Sequence, residues 1–78
     1  MKERFYLTYP PALIKQPLIY LLIKKFDIIP NIRGANVSDE MGLLTMEIEG
    51  EQGDIDRAIA WLREQGVTVE PIEKNIIE

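Results

Sequence analysis

Along this chain, apolar side chains recur at every second residue, then at helical spacing, then in two further period-two runs. Helical spacing returns once more before a last short alternating run. A strand exposes alternate residues to each face of a sheet, and an amphipathic helix buries a stripe of period 3.6. The order strand, helix, strand, strand, helix, strand therefore stands in the residues themselves. In the first run Phe5, Leu7 and Tyr9 alternate with Arg4, Tyr6 and Thr8 over Arg4–Tyr9. Pro10-Pro11 ends it, because proline has no N–H to give a ladder.

The segment PALIKQPLIYLLIKKF then predicts a helix with Pro17 in its first turn, where the missing N–H is tolerated. Ile19, Leu22, Ile23 and Phe26 fall on one face, and Lys24 and Lys25 suit the negative C-terminal end. The second strand runs from Ile28 to about Val37. Ile28, Pro30 and Ile32 share one parity and Ala35 and Val37 the other, so a β-bulge is expected around Gly34. Ser38-Asp39-Glu40 reads as a turn. The third strand, Leu43–Glu49, points Leu44, Met46 and Ile48 inward and Thr45, Glu47 and Glu49 outward. After the loop Gly50–Gly53, Asp54 or Gly53 is expected to cap a second helix with the stripe Ile55, Ala58, Ile59 and Leu62. Gly66 stops it, and Val67, Val69 and Ile72 make the last strand.

These elements predict one α+β domain over residues 1–78, with a loose tail at 73–78. The arrangement is ferredoxin-like, βαββαβ, a four-stranded antiparallel sheet with two helices on one face. Right-handed crossovers place strands one and three at the centre and two and four at the edges. Pro30 and Pro71 fit edge strands. Met1 and the charged residues behind it fit the start of a complete chain.

Composition removes whole classes of chemistry. The chain has 78 residues, no cysteine and no histidine. Disulfides, thiolate metal sites, iron–sulfur clusters, Cys nucleophiles and imidazole bases are thereby excluded. A formal net charge of −4 opposes nucleic-acid binding. The apolar run Leu18–Ile23 is too short to insert in a membrane, and the charged N-terminus is unlike a signal peptide, so a cytoplasmic protein is expected. The loop after strand one, Pro10-Pro11-Ala12, lacks the glycines and N–H groups of a phosphate cradle. Glu47 and Glu49 read as a solvated sheet face, and Asp54 and Asp56 as compensation of a helix N-terminus. No catalytic residue, metal site or cofactor is expected. Trp61 lies beside an apolar stripe and reads as core packing, as does Met46, whereas Met41 sits in a loop open to a ligand.

The stretches FDIIPNIRGANV, GLLTMEIEG and DIDRAIAWLREQGVTVE resemble the NIL domain, from about Phe5 to Val69. That family is named for an Asn-Ile-Leu motif on its second strand. It occurs at the C-terminus of the ATP-binding subunits of bacterial methionine importers, and in some proteins beside iron–sulfur ferredoxin segments. AIAWLREQGV and the pair Asn31-Ile32 carry most of the likeness. The motif here reads Asn-Ile-Arg, with Arg33 outward where the family has leucine.

The resemblance implies a non-catalytic regulatory module that binds a methionine-like amino acid. It also implies a homodimer through the second strand and a transporter or electron-transfer partner. Asn31 matches the motif asparagine, Ile32 and Arg33 flank it, and Met41 and Gly42 lie at the turn into strand three. An Asn side chain offers an acceptor and two donors, an edge strand leaves N–H and C=O groups unpaired, and Arg33 can grip a carboxylate. The plain alternative for Asn31 and Arg33 is exposed polarity. The alternative function is an interaction adaptor that adds a partner strand to the same edge.

Overall fold

The computed structural model describes residues 1–72; the expected loose tail at 73–78 lies outside them. Four strands form one antiparallel sheet: β1 (Lys2–Tyr9), β2 (Ile29–Val37), β3 (Gly42–Glu49) and β4 (Thr68–Pro71). Their order is β2-β3-β1-β4, so β1 and β3 are central, as the sequence predicts. The central pair is in register along its whole length, from Lys2 opposite Glu49 to Tyr9 opposite Gly42.

Directly opposed residues of a ladder share a face. Phe5, Leu7, Tyr9, Met46, Ile48 and Val69 are all buried and all lie on one side of the sheet. Leu18 and Leu22 of helix α2 (Leu18–Lys25) and Ile55, Ala58, Ile59 and Leu62 of helix α3 (Gln52–Gln65) close over them. Leu7, Leu22, Met46, Ile48, Ile55 and Leu62 are wholly sealed from solvent. Each such side chain stabilises the fold by about 1.5–3 kcal/mol relative to exposure.

Three local expectations are corrected. The first crossover is two helical pieces, not one. A single turn, α1 (Pro11–Ile14), precedes α2, and Pro17 stands just before α2 with φ −80° and ψ 58°. Proline disfavours helical geometry in the residue ahead of it, so the chain cannot run through Gln16 as one helix. On α2, Leu18 and Leu22 face the core while Ile23 is exposed, because the shorter helix is rotated to seat Leu18. Helix α3 starts at Gln52, ahead of the expected cap, with Ile55 N–H donating to the Glu51 carbonyl at 3.0 Å. Gln52 holds this turn by donating to Asp56 one turn on, at 2.8 Å, and to Glu3 of β1, at 3.0 Å. Asp54 instead accepts from Arg57.

The C-terminal end of α3 is as expected. Gly66 adopts φ 107°, and Gly66 and Val67 donate to the carbonyls of Arg63 and Leu62, both at 3.1 Å. That pair of bonds satisfies carbonyls a helix end otherwise leaves orphaned. Trp61 is half-buried at the rim, edge-on to Phe26 at 6.3 Å with Lys25 over its ring at 6.0 Å.

Candidate ligand-binding surface

Among the described residues, strand β2 pairs only with β3, and its other edge is open. Asn31 opposes Glu47 and Ile32 opposes Met46, but the next paired residue is Gly34, opposite Thr45. Arg33 is therefore the extra residue of a bulge, as the parity change around Gly34 predicts. The bulge returns Ala35 and Val37 to the side already occupied by Ile32, so all three lie under the helices. Yet α2 does not reach them: Ile32 is 50% exposed and Val37 58%. An apolar shelf thus runs beneath an unpaired backbone edge.

Asn31 lies on the opposite, open face. Its ladder partner Glu47 accepts a hydrogen bond from Arg4 Nε at 3.2 Å. That bond, together with the positive charges of Arg4, Arg33 and Lys2, outweighs desolvation and holds the Glu47 carboxyl below its usual range. An amide, a carboxylate and two guanidinium groups are gathered around mid-strand. Together they supply acceptors for an ammonium and donors for a carboxylate.

The closed end of the β2–β3 hairpin is organised by Ser38. Its hydroxyl accepts from Glu40 N–H and Met41 N–H, both at 3.2 Å, and its own N–H donates to the Met41 carbonyl at 2.9 Å. Met41 is exposed, and Gly42 is buried between Val37 and Tyr9. Above Gly42 lies a slot of about 240 Å³ between the α1–α2 crossover and the hairpin. Tyr9, Ile14, Pro17, Leu18, Val37 and Leu44 supply most of its wall. The Tyr9 hydroxyl is sealed from solvent and has no hydrogen-bond partner among the described residues, and burial raises its pKa.

The five residues singled out in the sequence fall into two groups. Asn31, Ile32 and Arg33 sit mid-strand, with Asn31 and Ile32 on opposite faces. Met41 and Gly42 sit at the hairpin tip, about 20 Å along the strand from Asn31 at some 3.3 Å per residue. Tyr9, Leu44 and Val37 were not singled out, since each reads as an ordinary inward strand residue. The available signal was the spacing of Pro10-Pro11 and Pro17, which shortens the crossover above them.

The sequence model of the NIL domain matches residues 3–71. The chain belongs to the NIL domain family. A methionine import ATP-binding protein of Bacillus cereus is 36% identical over 59 residues, covering 70% of this chain and 17% of that protein. One from Listeria innocua is 32% identical over 62 residues, 74% of this chain and 18% of the relative. One from Helicobacter hepaticus is 33% identical over 60 residues, 72% and 17%. This NIL domain thus spans less than a fifth of the length of the curated relatives it matches. The crystal structure of the C-terminal domain of an ABC transporter ATP-binding protein from Enterococcus faecalis superposes with a TM-score of 0.80 at 23% identity. It covers 94% of this chain and 86% of that one, which establishes the shared fold. Among the described residues no helix is long and apolar enough to cross a membrane.

Proposed function

We propose that this NIL domain is a non-catalytic, cytoplasmic regulatory module. It binds a methionine-like amino acid and pairs as a homodimer along β2. The observation that carries the reading is the β2 edge. Its backbone is open, Ile32 and Val37 are exposed beneath it, and Asn31, Glu47 and the arginines cluster on its other side. The importer ATP-binding proteins among the relatives support a transporter as the regulated partner. Asn31, Ile32 and Arg33 are assigned to the ligand, with Asn31 and Arg33 holding its charged groups; Met41 and Gly42, at the hairpin tip, form a second candidate contact too far along the strand for the same amino acid to touch.

Titration calorimetry with L-methionine and other amino acids tests this, read together with amide chemical shifts. Binding with shifts across Asn31–Asn36, weakened by Asn31→Ala, is the expected result. No heat and no shift in that segment with any amino acid at millimolar concentration would remove the reading. The same edge also suits strand addition by a protein partner. A partner captured by the wild type and lost on changing β2, with no amino-acid effect, would favour the adaptor instead.

A further inference from the structure

The shelf beneath β2 and the slot above Gly42 form one surface, because Val37 belongs to both. One flank of α2 faces Val37 across it. Lys25 lies over Trp61, which turns its own flank of α2 toward α3. At about 100° per residue, Ile19 and Ile23 fall on the other flank, toward β2. Ile19 and Tyr20 line the slot, and Tyr20 and Ile23 are 57% and 49% exposed. A valley with apolar walls therefore runs between α2 and β2, and the slot is a recess in it. The charges around this valley are sorted. From Pro10 to Phe26 the chain carries Lys15, Lys24 and Lys25 and no acidic residue, in a protein of formal net charge −4. Lys24 Nζ stands 5.7 Å from the centre of the Tyr20 ring, at the lip of the slot, and Lys15 adjoins Gln16 in its wall. Among the described residues neither of these two lysines is in an ion pair. The opposite lip, in the hairpin turn beside Val37, carries Asp39 and Glu40.

We infer that this valley docks an amphipathic helix of a partner protein, with one bulky apolar side chain seated in the slot and an acidic flank lying along Lys15 and Lys24. The inference rests on the proposed reading only in requiring a regulated partner, and adds where that partner docks and what it presents. A helix held in an apolar groove anchors through side chains about one turn apart, and Tyr20 and Ile23 offer a ridge at that spacing. At about 240 Å³ the slot is smaller than the roughly 300–1,000 Å³ of a site for a drug-sized molecule, and suits a single anchoring side chain. Charge fixes how the helix is rolled. Its acidic flank meets the lysines of the crossover, and a neutral or basic flank faces Asp39 and Glu40; the reverse roll sets like charges together. A lipid surface fits less well, because a bilayer cannot fill a recess and Asp39 and Glu40 oppose anionic headgroups.

The experiment pans a displayed library of random peptides on the wild type and, separately, on the double variant Lys15→Glu with Lys24→Glu. The wild type is expected to select bulky apolar residues at helical spacing flanked by Asp or Glu. Those peptides should move the amide signals of Tyr20, Ile23, Val37 and Leu44. Two partly solvated ion pairs correspond to a loss of about 10-fold in their affinity for the double variant. The variant should select Lys- or Arg-flanked peptides instead. Tyr20→Ala, with both lysines intact, should weaken the same peptides, which a purely electrostatic patch would not show. No helical consensus, the same acidic consensus from both proteins, or shifts confined to other surfaces overturns the inference. Phosphatidylglycerol vesicles that bind the wild type and not the double variant, with no peptide consensus, overturn it in favour of a lipid surface. Neither lysine is assigned to the amino acid, so L-methionine titration reads the broader proposal independently. Peptide selection at the valley without amino-acid binding supports the docking site while removing the amino-acid function. Methionine binding without a peptide consensus keeps that function and overturns the docking site.

Discussion

Tyr9→Phe should make the ligand-free domain more stable. Among the described residues the hydroxyl is sealed from solvent and unpaired, so folding removes its water and gives nothing back. Stranding such a group costs about 1–3 kcal/mol, and phenylalanine occupies the same ring position without it. A gain of about 1 kcal/mol is expected, which in a domain of this size raises Tm by roughly 4–8 °C. Thermal and urea unfolding of both proteins without ligand measure it, with an unchanged urea slope showing that the unfolded state is the same.

A second arm uses alkaline pH. Burial raises the Tyr9 pKa in the folded state above the value of about 10 expected when unfolded. The protonated form is therefore the one the fold favours. Its contribution is complete below about pH 10 and is lost as pH rises through the folded value. Tyr9→Phe should flatten that alkaline decline. A lower Tm in the variant would show that the hydroxyl already has a partner, and an unchanged alkaline limb would show that burial does not hold its proton.

Gly66→Ala should destabilise the domain by about 1 kcal/mol or more, since φ 107° is strained for any residue with a Cβ and that atom would lie 3.2 Å from Leu13 Cδ1; urea unfolding reads the loss. Glu47→Gln should reduce the fall in stability at acid pH. The lowered Glu47 pKa adds stability above the unfolded value near 4.3, which is lost as pH drops through the folded value. The effect is small because the pair is solvated, and Glu47→Gln with Arg4→Met should do no more than either alone. Ile32→Lys should leave monomer stability within about 0.5 kcal/mol, the side chain being half exposed. It should nevertheless abolish the dimer in sedimentation experiments; a wild type that sediments as a monomer at high concentration would remove the dimer outright.

The strands were legible because period two is a strict signal and Phe5, Leu7, Met46 and Ile48 obey it. The bulge was legible for the same reason, as a break in an otherwise regular pattern beside glycine. Helix boundaries were less so. Pro17 is compatible with a first turn or with the residue before it, and only packing of Leu18 decides between them. Likewise Gln52 begins α3 through contacts with Glu3, forty-nine positions away, which no local rule contains. The open edge, and the place of Asn31 on that strand, could be read from the chain. The slot could not, because it is a space left between a crossover and a hairpin, and each residue around it looks like ordinary core. The apolar face of β2 left uncovered by α2 belongs to the same class of feature.

The two ends of the sheet are unequal, and this limits how such molecules can join. β2 offers nine residues of edge; β4 offers four and finishes on Pro71, which has no N–H to give. In effect the described residues give the domain a pairing valence of one. In the proposed pair along β2, each copy would use the one long edge among its described residues, and a third would have nowhere comparable to attach. Growth by strand addition would therefore stop at a closed pair instead of running on into a filament.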